Sequence, residues 1–271
     1  MPKIRKPAVA GQFYPATGSA IRKLLSSFLD KEAVAIDCIS CLLPHAGYVY
    51  SGEVATQTLQ RIKIKKNIIL LGPNHTGNGA PFSIMTEGLW ETPLGQVKIN
   101  TELARSLLKN SGYLKEDTLA HAEEHSLEVE LPIMQYFRSD FEIVPIAFMS
   151  NDLQALKTAG KQIGEVIEKS GLKNSVLLAA SSDMTHFEPQ PQAKSKDNAA
   201  IEAILRLSED QLAEKIKKLR ISMCGYAPAI VMLSAAKILG ATQAKLVKYM
   251  TSGDTTGDLS SVVGYAGIII Y

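Results

Sequence analysis

The feature that most constrains this chain is a recurring unit: a short, almost wholly apolar run, then a polar loop, then a segment with helical spacing. Cys38 to Leu43 runs into Pro44-His45-Ala46-Gly47, and helical spacing resumes after Gly52. Asn67 to Leu71 runs into Gly72-Pro73-Asn74-His75, and Val176 to Ala180 into Ser181-Ser182-Asp183-Met184-Thr185-His186. Ile143 to Met149 leads to Asn151-Asp152, which suit the cap of a helix reaching Glu168. Strands without polar alternation bury both faces, and strands alternating with helices imply a parallel sheet covered on both sides. Phe82 to Ile99 reads as short strands around a turn. Lys245 to Thr251 and Val262 to Ile270 read as two more, paired as a hairpin or placed separately in the sheet. The expected architecture is α/β, with a mostly parallel mixed central sheet and helices on both faces. No linker of disordered composition divides residues 1–271, so one domain is expected.

Composition excludes several function classes. Hydrophobic residues make up 46% of the 271, ample for a core, while a formal net charge of +2 gives no bulk attraction to nucleic acid or an anionic membrane. Lys63, Lys65 and Lys66 beside Arg61 lie between a helical pattern and a strand, which suits a solvated turn. No apolar run reaches membrane-spanning length, and Met1 to Ala10 lacks the apolar stretch of a signal peptide. Three cysteines do not make a disulfide framework, so a reducing, cytoplasmic location is the default expectation.

The histidines point to chemistry. Of His45, His75, His121, His125 and His186, three directly follow a strand. Carboxyl ends of strands form the ligand crevice of open α/β sheets, so three loops deliver imidazoles to one rim. One histidine after a strand is usually a loop cap or a hydrogen-bonded core residue; the joint placement of His45, His75 and His186 favours a shared site. Convergent imidazoles suit Zn, Fe or Cu. Asp183 stands three residues before His186, where it can ligate, fix a ligand tautomer through a hydrogen bond, or cap the turn.

Cys224 precedes the long apolar helix Ala229 to Leu239. A thiol at a helix N-terminus has its pKa lowered by the dipole, which favours a metal-binding thiolate; the plainer alternative is a small buried apolar residue. Cys38 and Cys41 point to opposite faces of a strand, so core filling is expected. His121-Ala122-Glu123-Glu124-His125 departs from the zincin pattern, since Ala122 stands where that motif needs Glu. His121 is expected on the surface. Glu124-His125-Ser126 and Glu128 are expected to begin an amphipathic helix reaching Leu131-Pro132, with His125 facing the site.

With these residues in view, the chain resembles the Memo family, named for a mediator of receptor-driven cell motility. The markers are Pro7 to Pro15, Pro44 to Gly52, Leu71 to His75, Glu124 to Glu128, Ser181 to His186, Cys224-Gly225 and Val263 to Gly267. That family is similar in fold to class III extradiol dioxygenases, which hold Fe(II) with two His and one carboxylate. The resemblance implies that His45 and His75 are metal ligands and that His186 is the acid/base. It places Cys224 where the dioxygenases supply a carboxylate, a departure that puts ring cleavage in question. It also implies a functional link to a radical-SAM protein.

Two functions follow from these expectations. One is a metal-dependent oxidoreductase using Fe(II), with Cu or Zn as alternatives. In it, His45, His75 and Cys224 bind metal, His186 is a fourth ligand or moves protons, and Asp183 and His125 support the chemistry on a small-molecule substrate. The other is a non-enzymatic binding module that takes a phosphorylated or acidic peptide in the same basin, beside Tyr48 and Tyr50. A zinc hydrolase, with His186 or Glu124 as base, is a third form.

Overall fold

A computed structural model describes residues 3–271. Twelve strands form one sheet: Ile4–Arg5 (β1), Ser40–Leu43 (β2), Asn67–Pro73 (β3), Phe82–Ile84 (β4), Leu89–Thr92 (β5), Gly95–Ile99 (β6), Lys115–Glu116 (β7), Glu142–Phe148 (β8), Val176–Ser181 (β9), His186–Glu188 (β10), Ala244–Thr251 (β11) and Val262–Ile270 (β12). At its centre β8, β3, β9 and β2 run parallel in that order. On one side β8 pairs with antiparallel β4 and with parallel β6, which forms an antiparallel pair with β5; on the other, antiparallel β12 carries β10 and β11.

Every position of β2, β3 and β9 is buried. Successive side chains point to opposite faces, so complete burial means that both faces are covered. Helix Tyr226–Ile238 packs on β3 and β9, and helix Tyr48–Leu59 on β11 and β12. The mixed, mostly parallel α/β sheet is the one expected, and the last two strand runs pair with each other. Asp152 caps helix Leu153–Lys169 by accepting from the N–H groups of Gln154 and Ala155. That helix lies against Tyr226–Ile238 through Gly160 and Gly164; a Cβ on Gly160 would stand 2.5 Å from the Val231 carbonyl. Among the described residues, no helix is long and apolar enough to cross a membrane.

The segment around Glu124 departs from expectation. A four-residue helix, Leu119–Ala122, stops there, and the next helix begins only at Glu130 and ends at Phe137. Glu124 accepts locally from the Ser126 N–H and, across the site, from the His75 N–H, and the backbone between runs in turns, with Val129 N bonded to the His125 carbonyl and Leu131 N to that of Glu128. Such local bonds compete with helix formation. His121 and His125 therefore do not share a helical face.

Glu128, completely buried, ties down the N-terminal segment. It pairs with Arg5 and accepts from Ala8 N, Val9 N and the Tyr14 hydroxyl. Arg5 also donates to the carbonyls of His121 and Glu124 and lies over the Trp90 ring at 4.3 Å. Every ion of this cluster has partners, as burial requires.

His121 is fully buried beside Trp90, against its expected surface position. Burial, then the nearby Arg5 charge, push its pKa from 6.5 down to about 4. The unfolded chain binds this proton below about pH 6.5 and the folded chain only below about 4. The stabilisation is complete above the unfolded value and is lost as pH falls between the two. Relative to His121→Phe, the native chain should lose about 3 kcal/mol between pH 7 and pH 4. Denaturant midpoints of the two proteins measured across that range check this; parallel curves would refute it.

Candidate metal centre

Three parallel neighbours end at one edge of the sheet. His45 follows β2, His75 follows β3, and Asp183 and His186 follow β9. The ring centroids of His45 and His75 are 5.2 Å apart, and those of His45 and His125 are 5.4 Å apart. His75 and His125 stack at 4.8 Å. The prospective ligand atoms of His45, His75 and His125 all lie within 4.8 Å of one another. The sequence assigned His125 a supporting role; the geometry puts it in this imidazole group. Phe13 from the N-terminal segment packs on its ring at 4.7 Å.

The Cys224 sulfur approaches one member of this group, with Sγ 3.2 Å from His45 Nε2. It also accepts from Asp183 N at 3.3 Å. Its acidity runs opposite to the dipole expectation: burial, then the Asp183 charge, push the thiol pKa up. The helix begins at Tyr226, and desolvation outweighs the field of its first turn. Cys38 and Cys41 are buried in the core and unpaired.

His186 stands slightly apart. Its backbone N–H donates to Ser222 Oγ and its Nδ1 lies 3.0 Å from the Ser222 carbonyl. A carbonyl only accepts, so Nδ1 carries the proton and Nε2 is bare. Asp197, which the sequence reading missed, holds the preceding turn by accepting from Thr185 N and the Tyr249 hydroxyl.

Carboxylates and a serine orient the rings. Glu124 Oε1 lies 2.9 Å from His75 Nδ1. Burial raises the Glu124 pKa, but hydrogen bonds from His75 and the Ser126 N–H outweigh it and bring it to about 2. Asp183 does not set a ring tautomer; its Oδ1 accepts from the backbone N–H groups of His45 and Ala46. Burial raises its pKa to about 7 against those bonds. The atom facing His45 Nδ1 is Ser181 Oγ, at 2.8 Å. Nothing in the sequence pattern separated Ser181 from a turn residue.

Burial, then His75 and His125, hold His45 well below the ordinary imidazole pKa. Burial likewise lowers that of His125. Neutral imidazoles present lone pairs, the state a cation requires. Two ligands of a tetrahedral N/S centre stand roughly 3.5 Å apart, close to the Cys224–His45 separation. The donor set fits a transition-metal ion. His45 is buried, whereas the side chains of His75 and His125 keep 34% and 23% exposure, so one side faces solvent.

The family model described as "Memo-like protein" matches residues 5–269. A MEMO1 family protein of Aquifex aeolicus is 44% identical over 98% of this chain and 99% of its own length. One from Methanopyrus kandleri is 42% identical over 98% of each. The crystal structure of an uncharacterized protein from Escherichia coli K12 superposes with a TM-score of 0.60 at 16% identity, covering 85% of this chain and 98% of that one. That likeness concerns fold alone.

Gly225 lets Cys224 approach. A Cβ there would stand 2.3 Å from the Ser181 carbonyl and 2.4 Å from Ser182 Cβ. Gly225→Ala should therefore cost about 1–3 kcal/mol of stability through overpacking. Equilibrium denaturation checks this, and an unchanged midpoint would refute the tight approach.

Proposed function

The chain belongs to the Memo-like protein family, and we propose that it is a metal-dependent oxidoreductase whose centre is held by His45, His75 and Cys224. The observation that carries this reading is the cluster of three imidazoles with the Cys224 sulfur against His45 Nε2. Iron(II) is the proposed cation, from the sequence resemblance to two-histidine iron enzymes; the thiolate also suits copper. A bound redox-active cation supplies electron transfer and Lewis-acid chemistry that the chain's own side chains lack.

The chain's residues have separable tasks in this reading. His45 and Cys224 form the inner wall. His75 and His125 line the side open to solvent, and His125 is placed to act as a further ligand. Glu124 keeps His75 Nδ1 protonated and so turns its Nε2 outward as a ligand atom. His186, with Nε2 bare, is the group that takes or returns a proton at the substrate. Asp183 holds the His45 loop in register. An acidic or phosphorylated peptide suits the basin less well, because Glu124 carries a buried negative charge beside the imidazoles.

Protein purified anaerobically without chelator should hold close to one metal ion per chain. His75→Ala and Cys224→Ala should each lower that content at least tenfold. Elemental analysis decides between iron, copper and zinc, and oxygen uptake with a panel of catechols tests turnover. Metal content unaffected by either substitution would overturn the assignment. Zinc alone, with esterase or amidase turnover, would replace the oxidoreductase with a hydrolase.

A further inference from the structure

Behind His45 is a carboxyl group that the metal reading does not use. Glu130 is the first residue of its helix and is 1% exposed. Its Oε1 lies 3.0 Å from Ser181 Oγ, and its Oε2 has no hydrogen-bond partner. The titratable groups facing it are Asp183, Cys41 and Tyr48, all of them neutral or acidic. Among the described residues no Lys, Arg or His pairs with it.

Ser181 Oγ has one proton and two lone pairs, and it meets three groups. The Ser126 carbonyl, at 2.7 Å, can only accept. His45 Nδ1 is at 2.8 Å and Glu130 Oε1 at 3.0 Å. If Glu130 were ionised, it and the Ser126 carbonyl would compete for one proton, and a buried carboxylate would stand without a counter-charge. A protonated Glu130 removes both difficulties, because its O–H donates to Ser181 Oγ. The serine proton then goes to Ser126 O, and the one position left on Oγ is a lone pair facing His45 Nδ1. That ring nitrogen must donate.

We propose that Glu130, held as the neutral acid, is a positioning residue that acts through Ser181 to keep His45 in the Nδ1–H tautomer, with Nε2 bare toward Cys224 and the metal position. The inference deepens the metal reading and rests on it only for its consequence in binding. The tautomer itself is a property of the metal-free chain. Burial supports the neutral state by pushing the Glu130 pKa well up. Gln at this position retains an N–H donor for Ser181 Oγ, whereas Leu of similar size has none.

The test begins with the metal-free full-length protein. Long-range proton–nitrogen NMR should show His45 protonated at Nδ1. Infrared difference spectra between the native protein and Glu130→Gln should show loss of the C=O band of a protonated carboxylic acid. Titration with Co²⁺ should then give Glu130→Gln an affinity within about threefold of native. Glu130→Leu should bind about tenfold more weakly and show His45 as a mixture of tautomers.

An Nε2–H tautomer in the native protein, absence of the acid band, or native behaviour of Glu130→Leu would each overturn the proposal. The first two measurements need no foldable Leu variant. Native protein that shows the tautomer and the acid band but binds no Co²⁺ would defeat the metal reading and leave this one standing.

Discussion

A carboxyl group taken out of water must be met by a cation, by hydrogen bonds or by a proton. The stretch from Glu124 to Glu130 buries three of them, each at 1% exposure or less. Each is met in a different way. Glu124 stays ionised against the His75 ring and two backbone N–H groups. Glu128 is matched by Arg5, a tyrosine hydroxyl and two backbone donors. Glu130 has no cation and is best satisfied as the neutral acid. The rest of the site depends on this segment because it joins otherwise unconnected parts. Through Glu128 it fastens the N-terminal residues that bring Phe13 onto His125. Through Glu124 it orients His75, and through Glu130 and Ser181 it backs His45.

The sheet supplies the other half of the geometry. Because β9 lies between β3 and β2 with adjacent carboxyl ends about 5 Å apart, the ends of β3 and β2 are about 10 Å apart, and two-residue loops bring His75 and His45 together across the end of β9. Short loops are stiff, and here they are also tied: the Asp183 carboxylate accepts from the first two N–H groups of the His45 loop. The sheet sets where the loops leave, and the buried polar bonds set where the rings point.

Much of this was legible in the sequence, for identifiable reasons. Unbroken apolar runs marked the central strands because burial on both faces leaves no polar alternation. His45 and His75 were found because strand ends are positions of known use. Other features were misread or missed, and all are tertiary. His121 was placed on the surface because a lone histidine shows no sign of the Trp90 and Arg5 surfaces that enclose it. Cys224 was expected to be acidic from its position before a helix, where burial proved stronger. The helix expected from Glu124 starts only at Glu130, because Glu124 turns its carboxylate to the Ser126 and His75 N–H groups and the backbone between runs in turns. Ser181 and Glu130 carry no motif; their role exists only once the β9 end and the 124–130 segment lie together.

The contact between Cys224 Sγ and His45 Nε2 joins these strands of argument. Without a cation, the half-buried Cys224 thiol stands 3.2 Å from His45 Nε2, within reach of a hydrogen bond to it. The same burial that disfavours a free thiolate and a protonated imidazole leaves both groups poised for a single positive charge between them. A proton satisfies that demand weakly, because it bonds one partner and hydrogen-bonds the other. The proposed metal ion would satisfy it fully, bonded to both partners and held further by His75 and His125. Metal capture would then exchange a proton for a cation in an otherwise unchanged frame, so little conformational reorganisation would oppose it. The preorganisation comes from the buried groups behind the rings, which hold each lone pair toward the same point.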